Sequence, residues 1–592
     1  MAQDADALET YRLQPICLRT ASVAELTAVP GFSQRVAAAV LRIVGQQPNV
    51  TLNHVADTLC LSLPQRLMLL GCTTLQCSPG HTTAATATVR VGMMLQQPRG
   101  VREGMWQGGA SQDVERVDVR HGQQRLVVVR SAARGERAAD AWLGGAADVR
   151  LGAARAIVGN VAPSYGCGLA MGAMANTMGP WTSALDQRGA TAILRPSTSS
   201  VREGYLQGLG IDATVSSAVR LLGVVARNTH TVWGGIGEWT HGDVTLGGAM
   251  WHWSHEEPIP TASSRSLGGR GGLAASVYGQ ATLGGILRWE LSRSPTADVA
   301  TALQWWQRAG VTRWMAAMRW IGADYRAPLG AALTDASAVA NEAGITIGCA
   351  ARLGGWRVDA VADVRRSLTR TYFVPGIVRG ATADVQALRP LRGGHQVGMR
   401  LFYEGETDGV RGSDSTRTVT AHRQRLRVRA SAALHVSTPL TLTARFDAAG
   451  AWWEAVRGRH MGSSIAIGMR YVGSWWRASA QWTSFASDGA DATVYIGEVA
   501  VPGTIRSVAL SGRGQRLMCQ FHASVAGGMD VAVAYTQHRR YDVATVGTGW
   551  EALAGPTDGR LHVQLSWRLR HQGSARYHHA GDVDDEAASW WE

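Results

Sequence analysis

Short runs of alternating apolar and polar residues extend from about residue 83 to residue 569, and Gly, Asp, Asn or Pro closes each run. The last run is the clearest. Its apolar face and its polar face consist of Leu561, Val563, Leu565, Trp567 and Leu569, and of His562, Gln564, Ser566 and Arg568. Side chains of a strand point to opposite sides with period two, so these runs are predicted to be strands with one apolar and one polar face.

The extent of this pattern decides between two kinds of β protein. A soluble sandwich shows the same alternation, but hardly any helical segment interrupts these runs, and many strands in one open sheet would leave exposed edges. Closure into a barrel removes the edges, with apolar side chains facing lipid and polar ones facing the lumen. We therefore predict a mainly β protein: a large, closed, antiparallel transmembrane β-barrel of about 20–26 strands, an even number being expected.

Three segments follow from this pattern. We predict a small all-α domain over residues 1–80, the outer-membrane barrel over residues 81–569, and a polar C-terminal tail over residues 570–592. Segments Asp408–Thr420 and Ser487–Ile505 are predicted to be long extracellular loops.

Tryptophan is over-represented among the aromatic residues, with 22 Trp against 12 Tyr and 6 Phe. Trp is favoured at membrane–water interfaces. Trp314 and Trp320 lie six residues apart on one face, and Trp476 and Trp482 repeat that spacing. At ~3.3 Å per residue each pair spans roughly 20 Å, close to the ~25 Å apolar band of such a barrel. We predict an interfacial aromatic belt of Trp314, Trp320, Trp476, Trp482 and Trp567; core positions in a soluble protein are the alternative.

The basic residues are all Arg, and the net charge is +13. This charge suits anionic partners, although genome base composition can also produce an Arg-only chain. Arg425, Arg427 and Arg429 share the polar parity of one run and predict a lumen-facing basic ladder. Such a ladder would favour anions in the lumen, or would pair with carboxylates of adjacent strands and stiffen the wall.

The first 80 residues contain a different motif. Leu26, Val29, Pro30, Gly31, Phe32, Ser33, Gln34 and Arg35 occur at the spacing of a helix-hairpin-helix. A Pro-Gly turn exposes backbone N–H groups at a helix start, where the dipole also favours an anion. A DNA phosphate could bind there, so Pro30, Gly31, Phe32, Ser33, Gln34 and Arg35 are the candidate DNA-binding residues. The alternative is a helical module that docks to a partner protein or plugs the barrel.

The stretch Leu18–Leu26 with this motif resembles the ComEA-type competence DNA-receptor domain. Across the barrel, several blocks resemble a family of large outer-membrane proteins of the Bacteroidetes–Chlorobi group with an N-terminal helix-hairpin-helix domain. The blocks are Tyr165–Leu169, Ile193–Thr198 with Glu203 and Tyr205–Gly208, Tyr325–Ala331 with Asn341–Gly344, and Tyr495–Gly503 with Leu510–Gly514. The resemblance implies fold and location in the outer membrane of a Gram-negative bacterium.

Other features narrow the function. The chain shows no Gly-x-Ser-x-Gly, no His-Glu-x-x-His, no P-loop and no dinucleotide fingerprint, so we expect no enzyme, no catalytic residues and no cofactor. The cysteine spacing fits no zinc pattern, so we expect no metal, but the N-terminal cysteines could form disulfides.

The N-terminus lacks a signal peptide. Since barrel proteins are exported, we expect one to have been removed or the start to have been assigned downstream of it.

Two hypotheses follow. The chain is a transport or channel component whose helical domain binds DNA or another polyanion, with outer-membrane lipid around the barrel. Alternatively it is a non-catalytic structural or assembly subunit, whose helical domain docks a periplasmic or outer-membrane protein subunit or plugs the barrel.

Overall fold

The computed structural model describes part of the chain. The described residues are 15–19, 21, 26, 29, 32, 34–47, 50–59, 61, 63–75, 86–96, 98–121, 124–172, 185, 192–197, 205–227, 230–255, 271–327, 330–334, 339–371, 374, 376–411, 418–454, 458–498, 501–502, 504 and 506–570.

A closed antiparallel barrel of 24 strands forms the main body. Its strands, β1 to β24 in chain order, are Thr86–Leu95, Ser111–His121, Gln124–Ala132, Trp142–Leu151, Ala154–Ser164, Leu206–Thr214, Val219–Arg227, His230–His241, Val244–His255, Gly271–Thr282, Ile286–Arg293, Val299–Ala309, Thr312–Ile321, Glu342–Leu353, Trp356–Arg366, Arg379–Pro390, Gln396–Arg411, Thr418–Ser437, Leu440–Trp453, Arg459–Val472, Trp476–Ser487, Gly512–Val525, Met529–Arg540 and Thr557–Arg570. Each strand pairs with its sequence neighbours, and β24 closes the ring on β1 through Leu561 opposite Leu95. The strand number lies within the predicted range.

The two ends of the barrel differ in the length of their connections. At the end where β1 begins and β24 finishes, turns are short, and the longest is 391–395. At the other end the connections include 165–205, 322–341 and 488–511. Short turns are periplasmic and long loops extracellular in outer-membrane barrels. The N-terminal helices therefore precede the barrel at its periplasmic end.

The two faces of the wall are chemically different. Apolar side chains in the middle of strands are exposed on one face, among them Leu291 (53%), Ile345 (57%) and Ile467 (55%). Their neighbours on the opposite parity, such as Glu290 and Thr346, are fully buried. The buried parity is the one that contacts the loops inside the barrel, so the exposed apolar parity is the outer surface.

The predicted loop Asp408–Thr420 is much shorter in the structure. Strand β17 continues to Arg411 and β18 starts at Thr418, which leaves only 412–417 between them. The extension is polar, and its Asp408 forms an ion pair of 3.0 Å with Arg423 on β18. Polar composition thus concealed a paired strand end.

Within the described residues, three helices precede the barrel: α1 (Gln34–Gln46), α2 (Leu52–Thr58) and α3 (Leu63–Cys72). Their apolar faces share a cluster that includes Leu26, Phe32, Val40, Val55 and Leu69. The two-residue strands Ile16–Cys17 and Thr73–Thr74 pair in parallel beside them. A fourth helix, α4 (Arg99–Arg102), lies in the loop after β1. None of the helices in the described part of the chain is long and apolar enough to cross a membrane.

Of the predicted DNA-binding turn, Pro30, Gly31 and Ser33 lie outside the described residues. Gln34 and Arg35 begin α1, and only their helical backbone is described. Phe32 is buried in the helical cluster, so its side chain packs and does not face a ligand. The helices contact the barrel at Arg308, near the periplasmic β12–β13 turn, which donates from Nη2 to the carbonyl of Thr58 at 3.0 Å.

Candidate lumenal site

The connection from β5 to β6 enters the lumen immediately after the strand. Tyr165, its first residue, is buried among aromatic side chains of the inner wall. Trp251 donates from Nε1 to the Tyr165 hydroxyl at 3.1 Å, and the hydroxyl lies 3.2 Å from Oγ of Ser276. The Tyr165 ring lies 5.1 Å from that of Tyr278. This aromatic group fixes the start of the loop against β9 and β10.

A tight turn follows, and one carboxylate of the wall binds it. Glu290, on β11 and fully buried, accepts from the backbone N–H groups of Cys167 (2.7 Å), Leu169 (3.1 Å) and Ala170 (3.4 Å). Gly166 adopts φ +56°, and a Cβ there would lie 2.6 Å from Oε2 of Glu290. The turn therefore requires glycine both for its backbone angle and for the approach of the carboxylate. Burial and the Glu290 carboxylate raise the pKa of the Cys167 thiol.

A second part of the same connection is bound in a similar way. The N–H of Ala192 donates to Oε1 of Glu238 on β8, at 2.5 Å. Arg220 donates to the carbonyl of Ala192 (2.7 Å), and Arg155 donates to the carbonyl of Leu194 (2.8 Å). The short strand Ile193–Pro196 pairs with the end of β5. Wall side chains thus satisfy backbone groups that water would otherwise bind.

The connection from β13 to β14 packs on the first loop. The N–H of Ala331 donates to the carbonyl of Gly168 at 2.8 Å, and the Tyr325 hydroxyl donates to Oγ of Ser292 at 2.8 Å. At the end of this connection Asn341 has φ 52°, and its Oδ1 accepts from the N–H of Thr369 at 3.0 Å. The two loops therefore form one body inside the barrel.

The inner wall beside these loops is apolar. Its buried side chains from β7 to β10 join residues of the first loop in one cluster, which includes Val224, Ala226, Val232, Ile236, Trp251, Trp253, Tyr278, Met171 and Leu194. These strands have lipid on one side and packed protein on the other, so apolar side chains occur on both parities, beside the inward-facing Arg220 and Glu238 that bind the loop backbone.

The connection from β21 to β22, predicted as an extracellular loop, also folds inward. It forms a two-stranded hairpin, Val494–Glu498 with Arg506–Leu510, which we call the inner hairpin. Ile496 packs on Phe485, and Val501 packs on Ala532 and Ala534 of β23. The wall here is polar, and the carbonyl of Tyr495 accepts from Arg445 at 2.6 Å.

The predicted basic ladder lies on the inner wall of β18, opposite this hairpin. Arg425 forms an ion pair with Glu404 (3.1 Å) and Arg429 one with Asp447 (2.7 Å). Arg427 instead lies over the rings of Phe402 and Tyr495, at 5.7 and 5.4 Å from the centroids. Two of the three arginines thus pair with adjacent strands.

Sequence reasoning missed the carboxylates that bind the loops. Glu290 and Glu238 lie on the polar parity of ordinary alternating runs, and nothing local marks them as partners of a turn more than forty residues away. The signal that could have found the turn itself is Gly-Cys-Gly after Tyr165, since two glycines so close suggest positive φ.

The outer surface carries most of the predicted belt. Trp314, Trp320, Trp482 and Trp567 are exposed on the outer parity by 44, 41, 39 and 48%. Trp476 is half-buried and stacks on Tyr471 at 4.9 Å. A closed barrel with an apolar outer face satisfies every backbone group without water, which open sheets cannot do. This is an outer-membrane β-barrel. Its location in the outer membrane of a Gram-negative bacterium follows from that architecture.

Cys17 is disulfide-bonded, which agrees with an oxidising compartment, while Cys72, Cys167, Cys349 and Cys519 carry thiols. Among the residues that the structure describes, no three His, Cys, Asp or Glu side chains are grouped so as to hold a metal ion.

Comparison with known proteins finds no matching family model and no matching curated protein. Solved outer-membrane barrels do resemble the structure. The ferric citrate transporter FecA is 9% identical, with 83% of this chain and 79% of that chain covered and a TM-score of 0.39. P. aeruginosa FpvA is 7% identical (82% and 72% covered, TM-score 0.39), and Acinetobacter baumannii OccAB3 is 8% identical (82% and 99%, TM-score 0.32). At such identities and TM-scores a likeness carries no information on substrate or mechanism.

Proposed function

We propose that the protein is an outer-membrane transport channel whose own extracellular loops close the lumen at rest. The observation that supports this most directly is the turn Gly166–Ala170, which one buried carboxylate, Glu290, binds through three backbone N–H groups. Because one wall carboxylate binds three backbone N–H groups of the turn, loss of that carboxylate removes most of the turn's polar contacts with the wall. In this proposal the chain moves solutes and does no chemistry on them.

Substituting Gly166→Ala tests the proposal. A Cβ at residue 166 would collide with Glu290 and would strain a backbone at φ +56°, so we expect the turn to detach from Glu290. Single-channel conductance in planar bilayers should then rise. Gly354→Ala is the matched control, because Gly354 has the same φ at a periplasmic turn but nothing within 4 Å of its Cβ position.

A structural or assembly subunit is the second candidate, and the dense anchoring of the loops favours it. Arg155 and Arg220, for example, bind loop carbonyls and also their own carboxylates, Asp148 and Asp212, so the loops are tied to the wall at several points. If Gly166→Ala exposed Cys167 to a thiol reagent without raising conductance, the barrel would be closed for reasons other than this turn, and the channel proposal would be wrong.

For the helical segment we propose binding of DNA, or another polyanion, through the backbone N–H groups after Gly31 and through Arg35. Its position at the periplasmic end, in contact with Arg308, is where a captured polymer would meet the barrel. The full chain in nanodiscs should shift labelled duplex DNA at low salt, with affinity falling as salt rises.

The variant Gly31→Ala with Arg35→Ala should abolish that shift, whereas Arg42→Ala removes an exposed arginine from the same helix outside the turn and should retain most of it. No DNA shift even at low salt, together with a stoichiometric co-purifying protein, would instead favour protein docking by the helical segment.

A further inference from the structure

We propose that Arg427 forms an oxyanion-binding subsite in the lumen, which takes the carboxylate or phosphate group of a transported solute. This proposal rests on the proposed channel function, because solutes reach Arg427 only if the lumen conducts. It names the class of solute: one with an anionic group small enough to reach the inner wall halfway along β18.

The first observation is that Arg427 has no ion pair among the described residues, whereas its neighbours do. Arg425 and Arg429 on the same strand, and Arg400 opposite Arg429 on β17, each have a carboxylate partner, Arg400 with Asp384 at 2.8 Å. Arg427 also makes no hydrogen bond within the described part of the chain, and its Nε is buried without a partner. A guanidinium that no carboxylate of the wall satisfies is available to a ligand.

The second observation is the position of two aromatic rings over this guanidinium. Phe402, on the adjacent strand β17, and Tyr495, on the inner hairpin, lie 5.7 and 5.4 Å from Arg427. Aromatic faces attract the cation but accept no strong hydrogen bond, so they hold the side chain while its N–H edge stays free. A planar guanidinium held in this way suits two parallel bonds to one carboxylate or phosphate.

The third observation is that the inner hairpin is itself fixed over the site. The carbonyl of Tyr495 accepts from Arg445 at 2.6 Å and from Arg429 at 3.4 Å. These bonds orient the Tyr495 backbone, and so keep its ring beside Arg427. The arginines that flank the site thus serve the hairpin and their own carboxylates, which leaves Arg427 as the residue that can exchange partners.

The experiment measures phosphate and acetate binding by calorimetry to the purified full chain carrying Gly166→Ala, the variant expected to open the lumen. It uses phosphate-free detergent buffer, with chloride at equal ionic strength as reference. We expect Arg427→Gln to weaken binding about 10- to 100-fold, the loss expected for hydrogen bonds to a charged group. Arg427→Lys should restore only part of it, because an ammonium keeps the charge but not the fork. The stronger of the two anions identifies the class of solute group.

Arg568→Gln is the matched control, since it removes the same charge from an inner-wall position where Arg568 pairs with Asp530 at 2.9 Å. In that background, equal anion affinity with and without Arg427→Gln, or an equal loss in Arg568→Gln, would overturn the subsite. Conductance of Gly166→Ala in potassium chloride tests the channel separately. A conducting barrel that binds neither anion would overturn the subsite alone.

Discussion

Glu290 allows the closed state to be tested quantitatively. Its carboxylate accepts three backbone N–H groups of the turn, and a hydrogen bond to a charged group contributes about 1.5–3 kcal/mol. Such bonds share one acceptor and do not add fully, so we take the loss in Glu290→Ala as about 3 kcal/mol. That loss should raise the population of the displaced turn roughly 100-fold.

The assay is the labelling rate of Cys167 by a maleimide, followed by peptide mass spectrometry, which separates this thiol from the others. Cys167 belongs to the turn and is buried, and the raised pKa of its thiol further slows the reaction while Glu290 holds the turn. When opening is fast, the rate follows the open population, so it should rise roughly 100-fold in Glu290→Ala. Glu290→Gln keeps an acceptor oxygen and should raise the labelling rate of Cys167 roughly 10-fold.

Asp384→Asn is the matched control, because Asp384 is an equally buried inner-wall carboxylate whose partner, Arg400, belongs to the wall. Its Cys167 rate should stay near that of wild type. If Cys167 labelled at the wild-type rate in Glu290→Ala, with the barrel still heat-modifiable, the carboxylate would not be what holds the turn.

Two further predictions concern the wall and the rim. Ile467→Arg places a charge in lipid and should lower the free energy of unfolding in urea by about 2–4 kcal/mol. Gln481→Arg, on the lumenal face of β21, should change that free energy little. Equal losses of stability in the two variants would contradict the assignment of faces. Arg540 holds the pKa of Asp542 at about 2, below its ordinary value, so their contact stabilises the rim fully above that ordinary value and is lost as pH falls through about 2. Relative to an unstructured peptide cleaved in the same reaction, pepsin should therefore cleave the loop after β23 faster below pH ~2 than at pH ~4, and Asp542→Asn should abolish that relative difference.

Alternation predicted the closed barrel because each wall strand has a lipid side of constant chemistry. The same rule could not predict what lies inside. Trp251 and Trp253 are on the inner parity and fully buried against the first loop, while His252 between them faces outward and stacks on Trp233 at 5.2 Å. A run that is apolar on both faces does not reveal from its sequence which face meets lipid.

The segments that resemble the outer-membrane family lie in connections inside the barrel. Tyr165–Leu169, Ile193–Thr198, Tyr325–Ala331 and Tyr495–Gly503 all belong to connections that the structure places, where it describes them, inside the barrel. Their glycines and prolines mark defined turns, which loops in solvent need less. Their partners, Glu290 and Glu238, could not be predicted because the contacts join distant strands.

The division of the inner wall limits how such a channel could open. From β7 to β10 the wall is apolar and covered by the first loop, whereas at β17 to β19 it is charged. Expelling the whole loop would expose Val224, Trp251, Tyr278 and Met171, and at about 1.5–3 kcal/mol for each large side chain these four alone would cost roughly 6–12 kcal/mol. Releasing only the turn breaks the Glu290 contacts, at about 3 kcal/mol, and exposes one large side chain, Leu169, at about 1.5–3 kcal/mol, which is less than the cost of expelling the loop. Opening should therefore be a local displacement of that turn, with solutes passing along the charged wall beside Arg427.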